Sequence, residues 1–377
     1  MEKKDRKMRL GEKGPFIFAA AGMFPIILSN IKFSWAIWRV TRINLLAVLI
    51  VLSAFSVFFQ IYSFFKKSYG PMYKFGIWIS GVYLGFLFFF VPLHAAISVF
   101  GAITGINKMS LVISWILVVA ALFCVAVTVY GVIHAHNIKV VRYALDTGGN
   151  KICRIVQLSD LHMGSIIGHK YIEKVVSGVN RLNPDVVIIT GDLFNLGVVA
   201  ECRDIDRITA CLQKLRSTYG VYAILGNHDP APDDRDFKRF VSDTGMVFID
   251  NAMLEFDDFY LLGRTGLLDP VYDRKNLSRL MEMCFDRSKK RIVLDHDPRG
   301  INDAVRKGAD VVFSGHTHAG QLFPHTLFTR LVDGKKYYHG YDRFGESHSI
   351  ISAGTGFFQV PIRVGSDSEI VCADIKI

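Results

Sequence analysis

The chain begins with long apolar runs and continues with short ones, and the change falls near residue 137. Residues 43–65, 75–100 and 109–133 contain no Asp, Glu, Lys or Arg, and each exceeds the ~20 residues that a helix needs to cross a bilayer. Residues 15–31 form a shorter run that Pro25 interrupts. It follows a basic head and predicts an uncleaved span or an interfacial helix. The pattern therefore predicts an α-helical membrane region over residues 1–137 with three or four spans.

From residue 138 to 377, short β-rich runs alternate with amphipathic segments. Strands are predicted over residues 151–159, 185–190, 220–225, 246–249, 259–263, 291–295, 309–314, 348–353 and 369–375. Helices are predicted over residues 171–182, 204–217, 236–243, 276–285 and 301–307. This alternation predicts a layered α/β domain over residues 138–377, in which helices cover the sheet.

The positive charge of the chain is confined to its apolar part. Residues 1–137 carry 13 Lys and Arg against 3 Asp and Glu, whereas residues 138–377 carry 31 of each. A neutral soluble part argues against a nucleic-acid partner, because binding to phosphate backbones requires a basic surface. Basic residues beside apolar spans are instead typical of a membrane protein.

The number of spans decides on which side of the membrane the soluble domain lies. With four spans, twelve Lys and Arg flank the spans on the side of the domain and four on the opposite side. With three spans the count is ten against six, and the domain lies outside. Because positive residues accumulate on the cytoplasmic side, the larger excess favours a multi-pass cell-membrane protein whose soluble domain is cytoplasmic.

Polar side chains follow five of the predicted strands, at the point where each strand ends. In open α/β sheets, ligands bind outside the carboxyl ends of the strands, so these five segments are expected to converge. Gly191, Gly226 and Gly315 precede three of the segments, where the absence of a Cβ permits unusual turns and close approach. The side chains in question are Asp160, His162, Asp192, Asn227, His228, His296, His316 and His318.

The residue types at these strand ends indicate a metal site. Carboxylates, imidazoles and one amide oxygen suit Mn²⁺, Fe²⁺, Zn²⁺ or Co²⁺, whereas oxygen ligands alone would indicate Mg²⁺ or Ca²⁺. A single DxH or HxH pattern is weak evidence, because capping aspartates and packed histidines are common. Five such segments in succession favour the metal site over that simpler interpretation.

The set DLH, GD, GNHD, H and GHTHAGQ resembles the calcineurin-like metallophosphoesterases, in particular a membrane-anchored bacterial branch. The resemblance covers roughly residues 150–377, including the closing segment SAGTGFFQVPIRVGSDSEI. It implies two packed β-sheets flanked by helices, with two metal ions at the strand ends.

The resemblance also implies a role for each residue. One ion would be held by Asp160, His162, Asp192 and His318, and the second by Asp192, Asn227, His296 and His316, with Asp192 bridging them. His228 matches the family histidine that contacts the phosphate and protonates the leaving group. Manganese is favoured among the candidate metals.

The resemblance implies a membrane-anchored phosphoesterase that hydrolyses a phosphoester, phosphodiester or pyrophosphate bond. Two ions would lower the pKa of a bridging water, and the resulting hydroxide would attack phosphorus. Anchoring in the bilayer indicates a lipid-linked or membrane-proximal substrate, of which UDP-2,3-diacylglucosamine is one candidate. Two alternatives stay open on the sequence alone: a catalytically silent metal-binding membrane scaffold or sensor, and a nuclease.

Overall fold

The computed structural model describes residues 26–65, 70–106, 110–195, 199, 202, 204–249, 251–264 and 277–377. Contacts between residues divide the chain into two compact units, Met1–Val132 and Ile133–Ile377.

The first unit is helical. Its described helices are α1 (residues 26–41), α2 (Leu46–Phe65), α3 (Pro71–Ile103) and α4 (Leu111–Ala135), the last of which ends in the second unit. Within the described ranges, two helical segments are long and apolar enough to cross a membrane, Met72–Ile103 and Leu111–Ala135.

The expectation of three to four spans is therefore wrong for the described residues. Asn44 Oδ1 accepts a hydrogen bond from Leu46 N at 3.0 Å, so α2 begins at Leu46 rather than at Ile43. Helix α2 is therefore 20 residues long, shorter than the 23-residue run predicted from the sequence. Of the fourth candidate, residues 15–25 lie outside the described residues and residues 26–31 form the first part of α1.

The second unit contains two six-stranded sheets. The first sheet has the order β1-β12-β2-β3-β4-β5 and the second β10-β11-β9-β8-β7-β6. The strands of the first sheet are β1 (Ile138–Asp146), β2 (Ile152–Leu158), β3 (Val186–Thr190), β4 (Val221–Ile224), β5 (Val247–Phe248) and β12 (Ser368–Lys376). Those of the second are β6 (Ala252–Glu255), β7 (Phe259–Arg264), β8 (Lys290–Asp295), β9 (Val311–Ser314), β10 (Gly340–Phe344) and β11 (Ser347–Ile351).

Seven helices of this unit are described. They are α5 (His169–Asn180), α6 (Ile205–Leu212), α7 (Arg235–Thr244), α8 (Leu277–Glu282), α9 (Ile301–Arg306), α10 (His325–Asp333) and α11 (Lys335–Tyr338). The apolar stripe of α5 predicted from the sequence is buried at Ile172, Val175, Val176 and Val179.

The sheets pack face to face and are covered by helices on their outer faces. Alternate residues of β3 belong to different cores: Val186 and Ile188 join residues of the second sheet, and Val187 and Ile189 join residues of α5 and α6. Because both faces of β3 are covered, all five of its residues are buried. The expected α/β fold of two sheets flanked by helices is confirmed.

The strand directions determine where the candidate residues lie. Strands β2, β3 and β4 are mutually parallel, and β7, β8 and β9 are also mutually parallel. The carboxyl ends of each set therefore meet at one edge of its sheet. The segments after β2, β3, β4, β8 and β9 carry all the candidate residues.

Candidate metal centre

The structure brings the strand-end side chains together in two overlapping groups. Asp160, His162 and His318 each offer a ligand atom within 4.8 Å of the other two, and so do Asp160, Asp192 and His296. All of these residues are buried except His318, which is half-buried. Residues 158 positions apart in the chain therefore meet at the sheet edge.

The first group is centred on two facing imidazoles. His162 Nε2 lies 2.9 Å from His318 Nε2, and the two rings stack with centroids 4.9 Å apart. Asp160 Oδ1 lies 3.5 Å from His318 Nε2. Two ring nitrogens and one carboxylate oxygen thus face a common point.

The second group is centred on His296. Its Nε2 atom lies 3.4 Å from Asp192 Oδ2 and 3.2 Å from Asn227 Oδ1, while its Nδ1 faces the Thr190 carbonyl at 2.7 Å. Asp192 Oδ2 also lies 3.7 Å from His162 Nε2. Asp192 therefore faces both groups, and Asp160 belongs to both.

His316 lies beside the second group rather than in either of the two compact groups. Its ring centroid is 5.1 Å from that of His296, at an interplanar angle of 75°. Its backbone N–H donates to Asp160 Oδ2 at 3.1 Å. The backbone of His316 therefore supports the first group while its ring faces the second.

His228 lies between the two groups and an aromatic side chain. Its backbone N–H donates to Asp192 Oδ1 at 2.8 Å, and its ring lies 5.5 Å from His162 and 4.6 Å from Phe358. The following residue, Asp229, holds the loop by accepting hydrogen bonds from Gly226 N and Phe194 N. The half-buried imidazole of His228 therefore lies next to Asp192, whose carboxylate faces both groups.

A family model described as calcineurin-like phosphoesterase matches residues 153–320. Residues 153–320 therefore carry a calcineurin-like metallophosphoesterase domain. An uncharacterized metallophosphoesterase of Campylobacter jejuni is 32% identical over 230 residues, which are 60% of this chain and 60% of that protein. A transmembrane protein with metallophosphoesterase domain from Danio rerio is 29% identical over 59% of this chain and 53% of its own length.

The matches cover about three fifths of the length of the first curated relatives. Among solved structures, that of an archaeal phosphodiesterase is 17% identical and covers 54% of this chain and 84% of its own, with a TM-score of 0.32.

The backbone of the metallophosphoesterase domain is unusual at the candidate residues. Five of them have positive φ, a region that residues other than glycine adopt rarely and at an energetic cost. These are Asp160 at 52°, His162 at 45°, Asp192 at 53°, His316 at 73° and His318 at 50°. The surrounding fold therefore holds the two carboxylates and three imidazoles in place against local preference, which is common at functional sites.

The buried carboxylates of the domain and the neutral imidazoles beside them favour the binding of a cation. Within the described residues, the ion pairs of Asp160 and Asp192 are all with histidines. Burial raises the pKa of Asp160 to about 6. Burial also lowers the pKa of His162 to about 3 and that of His318 well below its ordinary value, so both rings are neutral near pH 7.

Asp192 and His296 each offset the effect of burial on the other's pKa. Burial alone would raise the pKa of Asp192, but His296 and His162 lower it below its ordinary value. Burial would likewise lower the pKa of His296, but Asp192 raises it to about 10. Two buried carboxylates and two neutral facing imidazoles are a donor set that divalent cations satisfy, and the residues therefore fit the group that the family implies.

Three residues of the domain that the sequence did not single out support the candidate centre. Arg363 is fully buried and donates to the carbonyl oxygens of Ala353, Gly356 and His318. Gln321 accepts from Phe358 N at 2.8 Å and donates to the Phe358 carbonyl at 3.1 Å, which holds Phe358 over the histidines. Their only signal in the sequence is their place in two quoted segments: Gln321 ends GHTHAGQ, and the closing segment contains Phe358 and Arg363.

The glycines before the candidate residues leave room for neighbouring atoms. A Cβ at Gly191 would lie 2.7 Å from both Gly226 N and His296 Nδ1, and one at Gly315 would collide with Asp160 Oδ2. A Cβ at Gly226 would lie 2.5 Å from Asp192 N and 2.7 Å from Asp192 Cγ. Real Cβ atoms essentially never come this close to other atoms, so glycine is required at these turns.

Gly226→Ala should therefore displace Asp192 and weaken metal binding. We expect a loss of ~1–3 kcal/mol in the free energy of unfolding from the overpacking, and at least about tenfold weaker retention of Mn²⁺. Thermal melting and elemental analysis of the purified full chain measure the two effects. The control is Gly168→Ala, whose Cβ would lie 3.4 Å from Asp204 Oδ2, an ordinary contact. Unchanged manganese retention in Gly226→Ala would contradict this role of the turn.

Proposed function

We propose that the protein is a membrane-anchored, metal-dependent phosphoesterase with a binuclear centre. The observation that carries the proposal is the pair of overlapping carboxylate and imidazole groups that share Asp160 and face Asp192. In this assignment Asp160, His162, Asp192 and His318 hold one ion. Asp192, Asn227, His296 and His316 hold the other, and Asp192 is shared.

The donor atoms support a transition metal, with Mn²⁺ favoured over Fe²⁺, Zn²⁺ and Co²⁺. Imidazole nitrogens suit these ions, and a purely oxygen-based site would suit Mg²⁺ or Ca²⁺ instead. When bound, two such ions would polarise a phosphoryl oxygen and lower the pKa of a water molecule.

The protein side chains in the proposed reaction bind, orient and donate protons. His228 contacts the phosphate and, when protonated, donates a proton to the leaving oxygen. Its backbone N–H is fixed by Asp192, so the imidazole is held beside the shared carboxylate. Phe358 packs against His228 and His162 and excludes water from that side of the rings.

The proposed substrate is a lipid-linked or membrane-proximal phosphoester, phosphodiester or pyrophosphate, and UDP-2,3-diacylglucosamine is one candidate. Two helices long enough to span a bilayer support this choice, and so do relatives from Danio rerio and Bos taurus named as transmembrane proteins with a metallophosphoesterase domain. We place the catalytic domain in the cytoplasm of a multi-pass protein, from the excess of Lys and Arg on its side. A reporter enzyme fused to the C-terminus tests this sidedness.

The detergent-solubilised full chain should hydrolyse bis-p-nitrophenyl phosphate when supplied with Mn²⁺. Removal of metal with EDTA should reduce the rate at least about a hundredfold, because the buried carboxylates and imidazoles supply no comparable electrophile by themselves. Restoring Mn²⁺ should restore the rate. The assay measures p-nitrophenolate release, with bound metal determined in parallel.

The same measurement separates the proposal from its main alternative. A well-folded chain that retains two metal ions per molecule but hydrolyses no phosphoester in a panel of soluble and lipid-linked compounds would be a metal-binding scaffold. The panel also shows whether lipid-linked phosphoesters are preferred over soluble ones.

A further inference from the structure

Helix α10 presents its apolar residues to the outside of the second unit. Leu327, Phe328, Leu331 and Val332 are exposed by 49% to 82%, and Phe323 just before the helix by 50%. With 3.6 residues per turn, the four helical positions form one continuous face.

The side of α10 that faces the protein is polar. Thr326 is buried, and Thr329 and Asp333 are half-buried. This is the reverse of the pattern for a helix on a soluble surface, where the apolar stripe faces the core. A contiguous exposed apolar face of this kind marks a site of interaction with another surface.

Basic residues occur close to the apolar face along the chain. Arg330, Lys335 and Lys336 are exposed, within the same short stretch of chain as Leu331 and Val332. An exposed apolar face flanked by Lys and Arg is typical of helices that lie in the interface of a membrane containing anionic lipids.

The chain enters the second unit at the sheet edge that carries the candidate centre. Strand β12 is antiparallel to β2, and β1 is parallel to β12, so Ile138 at the start of β1 lies beside Ser368 at the start of β12. That end of β12 adjoins the end of β2, where Asp160 follows. Ser368 Oγ donates to the carbonyl oxygen of Ala135, the last residue of α4, at 2.8 Å, and the Tyr171 hydroxyl oxygen lies 3.3 Å from the same carbonyl oxygen.

Helix α10 lies at this same edge. It follows the segment His318–Gly320 almost directly, and Gly320 packs closely against Thr326. Only His136 and Asn137 separate α4 from β1. The end of α4 at Ala135 therefore lies close to the edge at which both the candidate centre and α10 lie.

We propose that the apolar face of α10 is a second membrane contact, which inserts into the interface of a bilayer containing anionic lipid and holds the candidate centre next to the lipid surface. The inference rests on the proposed anchoring of the chain through α4. Insertion of Phe328 and Leu331 would leave the basic side chains at the depth of the headgroups. It would also bring a lipid-linked phosphoester to the centre without removing it from the membrane.

Depth-dependent fluorescence quenching tests this contact on the full chain in vesicles. Phe328→Cys and Leu331→Cys are labelled separately with an environment-sensitive fluorophore, in phosphatidylcholine vesicles with and without phosphatidylglycerol. The unmutated chain gives the background, because its six cysteines are buried. The matched control is Phe285→Cys, since Phe285 is 86% exposed and lies shortly before the start of β8, at the edge away from the candidate centre.

Nitroxide-labelled lipid should quench the label at residues 328 and 331 at least about twofold more than the label at residue 285. Phosphatidylglycerol should increase the quenching. Equal quenching at all three positions would overturn the proposal. A blue-shifted but unquenched label at residues 328 and 331 would mean that a protein covers α10, which would also overturn it.

Hydrolysis of bis-p-nitrophenyl phosphate by the same labelled proteins is measured alongside. These substitutions lie outside the proposed catalytic machinery, so this soluble activity should be unchanged. If no activity is found in any variant or in the unmutated chain, the proposed function fails, whereas the quenching result still decides whether α10 contacts lipid.

Discussion

Asp192→Asn should reduce hydrolysis of bis-p-nitrophenyl phosphate roughly a thousandfold or more, a loss at least as large as that from removing one transition-state donor. Asp192 is almost fully buried, and its Oδ2 atom lies 3.4 Å from His296 Nε2 and 3.7 Å from His162 Nε2. Asparagine keeps the volume and one acceptor oxygen. It removes the negative charge and places an amide N–H₂ group where an acceptor is needed.

The substitution should also reduce the metal content. We expect fewer than two manganese ions per chain by elemental analysis, because the shared ligand faces both groups. Circular dichroism and thermal melting establish that the variant is folded.

A matched control lies at the other end of the same strand. Asp185 precedes β3, accepts from Arg154 N at 2.7 Å, and lies at the opposite sheet edge from Asp192. Asp185→Asn should therefore leave the rate within about twofold, as expected for a substitution that leaves the transition state untouched. An Asp192→Asn variant with the activity and metal content of the unmutated chain would contradict the shared-ligand assignment.

Strand ends were the most informative feature of the sequence. The apolar run before Asp160 and the run before His316 each predict a buried strand, and the rule that ligands gather at the carboxyl ends of parallel strands then predicts their meeting. Only the strand direction is needed for that prediction. The strand direction does not determine that Asp160 belongs to both groups, or that the ring of His316 lies outside them. Those details depend on how the loops pack.

The loop conformations could not be predicted because they oppose local preference. Asp160, His162 and His318 have positive φ, which a sequence pattern assigns to glycine first. What holds them is tertiary: Arg363 bonds to the His318 carbonyl from 45 positions away. The contact of Phe358 with His228 likewise joins segments 130 positions apart.

Elements at edges and surfaces were also missed. Strand β1 was not predicted, since among the described strands it pairs only with β12, more than 220 residues later in the chain. Helix α10 was not predicted either, because it is short and lies between Pro324 and Gly334. The first predicted span also began too early, because Asn44 accepts a hydrogen bond from Leu46 N and α2 begins at Leu46.

His228→Gln should slow hydrolysis in a way that depends on the leaving group. A general acid contributes about 10²–10⁴-fold when the leaving oxygen needs a proton, and little when it leaves readily as an anion. Diphenyl phosphate should therefore lose about a hundredfold or more, and bis-p-nitrophenyl phosphate about tenfold or less. Rates on the two substrates, measured with the Mn²⁺-loaded full chain, give the ratio.

The pH dependence provides a second measure of the same role. Burial lowers the pKa of His228, so the protonated imidazole is lost as the pH rises through a value below the ordinary ~6.5. The rate on diphenyl phosphate should accordingly fall with increasing pH in the unmutated chain, and this decline should disappear in His228→Gln. The control is His169→Gln, a half-buried histidine that faces Asp204 at 3.2 Å. Equal losses on both substrates would mean that His228 binds phosphate without donating a proton.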